Sequence, residues 1–295
     1  MTTVVDLDAI PFAFPGEPPA TGWRLGLIGD PVDHSLSPAL QGAGLRELGL
    51  HGTYERWQTA AGAIPDRVTS IRLPGFLGAN VTVPHKEAVI AHLDGITPLA
   101  ARVGAVNTIV RRDERLIGDN SDVAGFTGAL AQHTGPLDGR TAVVLGAGGA
   151  SRAVLVGLER LGAERILVAN RTVARADELI RDLECRSATS IPLTQAALVD
   201  VLPRTTVLVN ATAIGWHAGE LPLDAELLDT LPADAHVTDL TYRDTDLLLA
   251  ARGRGLATSD GLEMLVLQGS EALRRWSGQE PPVDAMRAAA IAARG

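Results

Sequence analysis

Residues 141–162 read TAVVLGAGGASRAVLVGLERLG. A β-branched apolar run, TAVVL, meets a glycine turn from Gly146 to Ser151, and the turn opens directly into a stretch of helical period. Strand, glycines and helix in that order are the context a dinucleotide-binding turn requires. The glycines let the backbone approach a pyrophosphate, which then sits on the free N–H groups of the helix start. The candidate cradle is Gly146, Ala147, Gly148, Gly149 and Ala150. Ser151 stands where the third glycine of G-x-G-x-x-G would fall. A tight turn in an α/β sheet with no ligand has the same outline, so the next strand must discriminate.

That strand, ILVA, delivers Asn170, Arg171, Thr172 and then Arg175. An NAD site places Asp or Glu about 20 residues after the glycine turn to bind the ribose 2′-hydroxyl. Two arginines and two small polar groups suit a 2′-phosphate instead, because guanidinium offers bidentate, charge-assisted hydrogen bonds. Solvated arginines at a helix start are disfavoured without a compensating anion. The expected cofactor is NADP.

Working outward, short apolar runs continue to alternate with helical periodicity, the pattern of an α/β chain with parallel sheets. Strands are predicted at WRLGLIGD, YERWQT, GFLGANVTV, NTIVRR and RLIGDN before the glycine turn, and at TVLVNAT and HVTDLTY after it. Helices are predicted at SPALQGAGLRELG, PDRVTSIR, KEAVIAHL, DVAGFTGALAQ, VARADELIRDL, LDAELLDTL and DLLLAARGRG, and two more end the chain. The terminal pair has no strands of its own to pack on. The predicted architecture is therefore two α/β domains, an N-terminal substrate-binding domain and a Rossmann-type NADP-binding domain, with the C-terminal helices returning to the first. The expected boundaries are a loose extension over 1–22, the substrate domain over 23–121 plus 261–295, and the nucleotide domain over 122–260.

Composition narrows the partners. The 295 residues carry a formal charge of −9, which argues against nucleic acid or an anionic membrane as the main partner. One cysteine, Cys185, cannot form an intrachain disulfide and fits a reducing cytoplasm. Asp6, Asp8 and four prolines interrupt residues 1–19 where a signal peptide would be basic and then apolar. No stretch approaches the roughly 18 uninterrupted apolar residues of a membrane helix. A cytoplasmic monomer or homodimer acting on a small molecule, with no metal, is expected.

Among 26 lysine and arginine residues only Lys86 is lysine, leaving 26 − 1 = 25 arginines. Guanidinium replaces ammonium well on a solvated surface, but it cannot readily release a proton. Lys86 sits in GANVTVPHKE, just after Asn80 and Thr82, which share one strand face. Upstream, HSLSP puts Ser35 and Ser37 before a helix; such serines commonly act only as caps, yet two hydroxyls and free N–H groups also make a carboxylate corner. AVNT supplies Asn107, and GDNSD supplies Asp119, Asn120 and Asp122. Together these fragments describe a pocket for a small, hydroxyl-rich carboxylic acid.

With LIGDPVDHSLSPAL, GANVTVPHKE, GAVNTIV, GDNSDVAGF, GAGGASRA, ANRTVARA, NATAIG and DGLEMLVLQG in this order, the chain resembles the shikimate/quinate dehydrogenase family from Trp23 onward. The resemblance implies NADP-dependent reduction of 3-dehydroshikimate to shikimate, in chorismate and aromatic amino-acid biosynthesis. It implies that Ser35 and Ser37 hold the substrate carboxylate, that Thr82, Asn107, Tyr242 and Gln268 hold it or the ring hydroxyls, and that Lys86 and Asp122 form the catalytic pair. Asn80 is expected beside them, and Leu240 and Gly261 in the cofactor site. Three departures stand out: Ser121 replaces a usual Thr, Ala213 and Trp216 replace a usual Ser and Met, and YRDTDLL is two residues shorter than the family's segment. A quinate or aminoshikimate dehydrogenase would share the pair. A non-catalytic sensor of a pathway intermediate would have no need of Lys86, Asp122 or an arginine-lined cofactor site.

Overall fold

The computed structural model describes residues 2–10 and 18–295. Two compact units divide the chain, Met1–Gly125 with Val266–Gly295, and Phe126–Leu265. These boundaries fall a few residues beyond the expected limits of 121/122 and 260/261, inside two continuous helices, α4 (Asp122–Thr134) and α9 (Leu262–Ser277). A helix whose internal hydrogen bonds are complete has no reason to break where its packing partners change.

The second unit is one parallel sheet of β7 (Thr141–Leu145), β8 (Arg165–Asn170), β9 (Ala188–Pro192), β10 (Val207–Asn210), β11 (His236–Asp239) and β12 (Ala257–Ser259), in the order β12-β11-β10-β7-β8-β9. Its strands TAVVL, ILVA and VLVN are buried along their length, as expected where helices cover both faces. Strand order reverses between β7 and β10, and ligands of such sheets bind beyond the carboxyl ends of the strands at that reversal. Gly146 follows β7 directly, and α5 (Gly149–Arg160) starts three residues later. α6 (Val173–Asp182) follows β8, α7 (Gln195–Val201) follows β9, and α8 (Asp246–Gly253) precedes β12. β9, α7 and β12 carry no sequence signal: β9 is a half-exposed edge strand, ATSIP, without alternation. LDAELLDTL, expected as an α-helix, forms only a 3₁₀ helix at Ala225–Thr230.

The first unit holds β1 (Trp23–Gly29), β2 (Gly52–Gln58), β3 (Gly78–Val81), β4 (Gly95–Ile96), β5 (Thr108–Arg112) and β6 (Arg115–Asp119), ordered β2-β1-β3-β5-β6-β4. This sheet is mixed rather than parallel, because β5 pairs antiparallel with both β3 and β6. The reason is local: Arg112 pairs with Arg115 across a two-residue turn, too short for any crossover. β2 buries one aromatic residue on each face. Tyr54 faces Trp276 of α9 at 6.3 Å between ring centroids, and Trp57 faces Phe76 on the opposite side at 5.7 Å.

α1 (Ser37–Glu47), α2 (Ile64–Ser70) and α3 (Pro98–Val103) complete the early part, and α10 (Val283–Arg294) packs on α1 with Met286 and Ala290 buried. The terminal helices thus return to the first unit. KEAVIAHL, expected as a helix, is a turn followed by a 3₁₀ helix at Ala88–His92.

The expectation of a loose extension fails for residues 2–10. Val5 N–H donates to Ile96 O at 2.8 Å and Ile96 N–H to Thr3 O at 2.9 Å, so this segment covers the outer edge of β4. Leu7 is buried, and Asp8 pairs with Arg275 of α9 at 2.5 Å. Unsatisfied edge N–H and C=O groups attract any strand within reach, whatever its composition. Of the rest of the expected 1–22 extension, Met1 and residues 11–17 lie outside the described residues, and within 18–22 Gly22 N–H donates to Pro19 O at 2.7 Å. Among the described residues no helix is long and apolar enough to cross a membrane.

Candidate active site

Because β1, β2 and β3 run parallel, the loop after β1 with Ser35 and Ser37, the end of β2, and the turn after β3 with Thr82 and Lys86 lie at one edge of the sheet. Two contacts fix the lysine turn. His85, buried, reaches Thr59 O with Nε2 at 2.6 Å, and since a carbonyl only accepts, Nε2 carries the proton. Val106 N–H donates to Lys86 O at 2.8 Å. The ammonium then donates to Asp122 Oδ2 at 2.7 Å, with the two side chains 18% and 12% exposed. Among the described residues Lys86 Nζ has no other partner. Asp122 opens α4, where the N-terminal dipole favours a carboxylate. Its Oδ1 accepts from Asn107 Nδ2 at 2.8 Å.

Asn107 is the hub of the site. Its Nδ2 also reaches Ser121 Oγ at 3.0 Å and Gln268 Oε1 at 3.4 Å, while its Oδ1 accepts from Ser121 N–H at 2.7 Å. Ser121 keeps the hydroxyl that the usual threonine would supply, and its Oγ lies 3.1 Å from Thr108 Oγ1. Asn80 is a strut rather than an open ligand: its Nδ2 donates to Asn107 O at 3.0 Å and Thr108 Oγ1 at 3.2 Å, and its Oδ1 accepts from Tyr54 OH at 2.8 Å. Ser37 lies against the Tyr54 phenol, and Ser37 N–H donates to Ser35 Oγ at 3.2 Å. One chain of hydrogen bonds therefore runs from Tyr54 through Asn80, Asn107 and Asp122 to Lys86. Burial pushes the Tyr54 phenol far above its ordinary value and keeps it a neutral donor.

Asp119 and Asn120 turn to the scaffold: Asp119 takes Thr97 Oγ1 at 2.6 Å and pairs with Arg275 at 3.1 Å, and Asn120 Nδ2 donates to Ala105 O at 2.9 Å. Tyr54 and His85 were invisible as site residues in the sequence, since both act through contacts more than 20 residues away. The one available signal was rarity, because Tyr54 and Tyr242 are the only tyrosines.

Tyr242 belongs to the second unit, as do all the cofactor candidates. It meets Trp216 edge-on, with centroids 5.8 Å apart and planes at 89°, and the Arg243 guanidinium lies 5.9 Å from the Trp216 ring. Asp239 holds this region: its Oδ2 accepts from Asn210 Nδ2 and Thr245 Oγ1, each at 2.9 Å, and its Oδ1 from Thr241 N–H at 2.9 Å. The loops after β10 and β11 are tied together by that one buried carboxylate.

The glycine turn is preorganised. Gly146 sits at φ 100°, a left-handed conformation, and a side chain there would stand 2.9 Å from Thr212. Ser151 explains its own departure from the motif: its hydroxyl donates to Gly146 O at 2.9 Å and accepts from Gly148 N–H at 3.2 Å, bracing the turn from within. Gly148 and Gly149 face open space where a Cβ would stand. At the end of β8, Asn170 Nδ2 donates to Thr172 O at 2.8 Å, and Arg171, Thr172 and Arg175 are exposed. Among the described residues neither guanidinium has a carboxylate partner, and the first turn of α6 has no acidic residue. Gly261 touches Leu240, whose carbonyl oxygen would lie 2.0 Å from a Cβ at 261. An open glycine turn beside two unpaired arginines fits a dinucleotide carrying an extra phosphate.

A family profile described as the shikimate dehydrogenase substrate binding domain matches residues 27–109. The shikimate / quinate 5-dehydrogenase profile matches 129–216, and the shikimate 5'-dehydrogenase C-terminal domain matches 261–291. A shikimate dehydrogenase (NADP(+)) of Symbiobacterium thermophilum is 43% identical over 92% of this chain and 95% of its own length. The chain belongs to the shikimate dehydrogenase family. Within that family, the crystal structure of the Thermus thermophilus enzyme in complex with NADP(H) and shikimate is 42% identical, covers 92% of this chain and 99% of its own, and superposes with a TM-score of 0.82. A quinate dehydrogenase from Corynebacterium glutamicum, in complex with NAD, shares the fold at 30% identity, 92% and 99% coverage and a TM-score of 0.81.

Proposed function

We propose that this chain is an NADP-dependent shikimate dehydrogenase that reversibly reduces 3-dehydroshikimate to shikimate in chorismate and aromatic amino-acid biosynthesis, with Lys86 as the acid/base. The observation that carries this reading is the Lys86–Asp122 pair at 2.7 Å, held in a hydrogen-bonded network that ends at Tyr54, against which Ser37 lies.

Ser35 and Ser37 bind the substrate carboxylate, and Thr82, Asn107, Gln268 and Tyr242 its hydroxyls. Lys86 donates a hydrogen bond to the carbonyl oxygen, stabilises the negative charge that develops there and yields the proton; the neutral amine is reprotonated from solvent. Asp122 orients the amine and accepts from the neighbouring hydroxyl. Gly146–Ala150, Asn170, Arg171, Thr172, Arg175, Leu240 and Gly261 would hold the NADP cofactor, whose reduced form, NADPH, would supply the hydride for the reduction and whose oxidised form would accept it in reverse. Arg171 and Arg175 favour it over NAD. The formal charge of −9 and single cysteine support a cytoplasmic enzyme, monomeric or homodimeric.

The test is a mixture of purified protein, NADPH and 3-dehydroshikimate followed at the nicotinamide absorbance band. Oxidation of NADPH that depends on 3-dehydroshikimate is expected. Turnover of quinate with NAD alone would move the protein to the quinate dehydrogenases, and no turnover of either substrate would sink the reading.

A further inference from the structure

The Ser35–Ser37 corner contains a cation. Arg56 lies two residues beyond Tyr54 on β2, so the two share a face, and Arg56 stands one pleat nearer the carboxyl end where the site residues gather. Its Nη2 donates to Ser35 O at 2.7 Å. Among the described residues the other four guanidinium N–H bonds have no partner, although Asp30 and Asp33 lie in the adjoining loop and Asp30 Oδ1 is bonded to Gln58 Nε2 at 3.0 Å. The guanidinium spends one donor on the main-chain carbonyl of Ser35 and leaves its remaining donors open at the Ser35 loop.

We infer that Arg56 is a specificity-determining residue that takes the substrate carboxylate together with Ser35 and Ser37 and makes the site require an anion. The inference rests on the shikimate dehydrogenase reading. Two hydroxyls alone stabilise a carboxylate weakly, and the loop aspartates and the net charge of −9 oppose its approach. A planar guanidinium matches the carboxylate in shape and supplies the missing charge. Since Ser35 O and Oγ belong to one residue, a carboxylate on that hydroxyl lies within one side-chain length of the Arg56 fork.

The alternative is a purely bracing role, in which Arg56 only steadies the Ser35 loop. Arg56→Gln keeps a donor and removes the charge; Arg56→Lys keeps the charge and loses the fork. With shikimate and NADP, Arg56→Gln should raise KM about tenfold with kcat within about twofold, and Arg56→Lys should raise it less than about threefold. The neutral methyl ester of shikimate should show the same KM in wild type and Arg56→Gln. Wild-type KM for shikimate should rise between about 0.02 and 0.5 M KCl, and the rise should flatten in Arg56→Gln. Equal KM increases for acid and ester would overturn the inference, as would a wild-type KM for the acid indifferent to salt. The wild-type salt series and ester comparison need no variant, so they decide the matter even where Arg56→Gln fails to fold. If wild type turned over neither substrate, the enzymatic reading would fall, and calorimetric binding of shikimate against its ester would still test Arg56.

Discussion

The only lysine among 26 basic residues is bonded at 2.7 Å to a carboxylate, and the acid/base role proposed for it can be tested directly. Lys86→Arg keeps the charge and roughly the reach, so an electrostatic anchor would survive it. A general acid would not, and kcat is expected to fall about 10²- to 10⁴-fold while the Kd for NADPH, read by fluorescence titration, stays unchanged. Asp122→Asn should lower kcat too, and the double variant should lose far less than the product of the single losses, because the pair acts as a unit. A Lys86→Arg enzyme retaining more than about a third of wild-type kcat would assign the proton to another donor. Lys86 was legible because its residue type marked it, whereas Asp122 was picked out from 35 acidic residues only by the family resemblance. Tyr54, His85 and Arg56 were not: a tyrosine on a strand reads as core until its hydroxyl is seen on Asn80 at 2.8 Å, and an arginine on the solvent edge reads as a surface charge until Ser35 O is found beneath it.

At the scale of the element, the proposed function gives β8 and the start of α6 the choice of cofactor. Arg171 and Arg175 are exposed, which screens any contact they make and puts the expected effect at the low end of charge-assisted hydrogen bonds. Arg171→Ala should weaken NADP binding about tenfold and leave NAD nearly unchanged; equal losses for both would place the arginine away from the 2′-phosphate. This strand–turn–helix unit was the most legible part of the chain, since its apolar run, glycines and helical period all lie within one short stretch. β9 and β12 were illegible because edge strands held by one neighbour need neither alternation nor length. A different element, β11, carries a titration. Burial and the stacked His133 ring, 5.0 Å away, push His236 down to about 4. The unfolded imidazole, near 6.5, therefore binds a proton that the folded one refuses between about pH 6.5 and 4. The unfolded state gains in that window, so this residue makes stability fall as pH drops through it and has no effect above it. His236→Gln, which can still bond Ser259, should flatten the fall of Tm between about pH 6.5 and 4.5; an unchanged slope would show that other groups carry it.

Across the whole molecule, the first ten residues matter more than their composition implies. Deleting residues 2–10 removes the buried Leu7, worth about 1.5–3 kcal/mol, and the Asp8–Arg275 pair, worth about 0–1 kcal/mol at its exposed site. Tm should drop by roughly 5–10 °C, and light scattering should report self-association through the bared edge of β4. A variant as stable and as monodisperse as the full chain would mean that the segment contributes nothing there. The division of the chain has a consequence in time as well. Phe126–Leu265 is one uninterrupted stretch, whereas the other unit is assembled from Met1–Gly125 and Val266–Gly295. On the ribosome, the second unit has all its strands once residue 259 has emerged, but the residues around Lys86 and Asp122 must wait for Gln268 and Trp276. The first unit, although its translation begins earlier, is completed second, and during that interval its apolar face is the part of the nascent chain that a chaperone would find open.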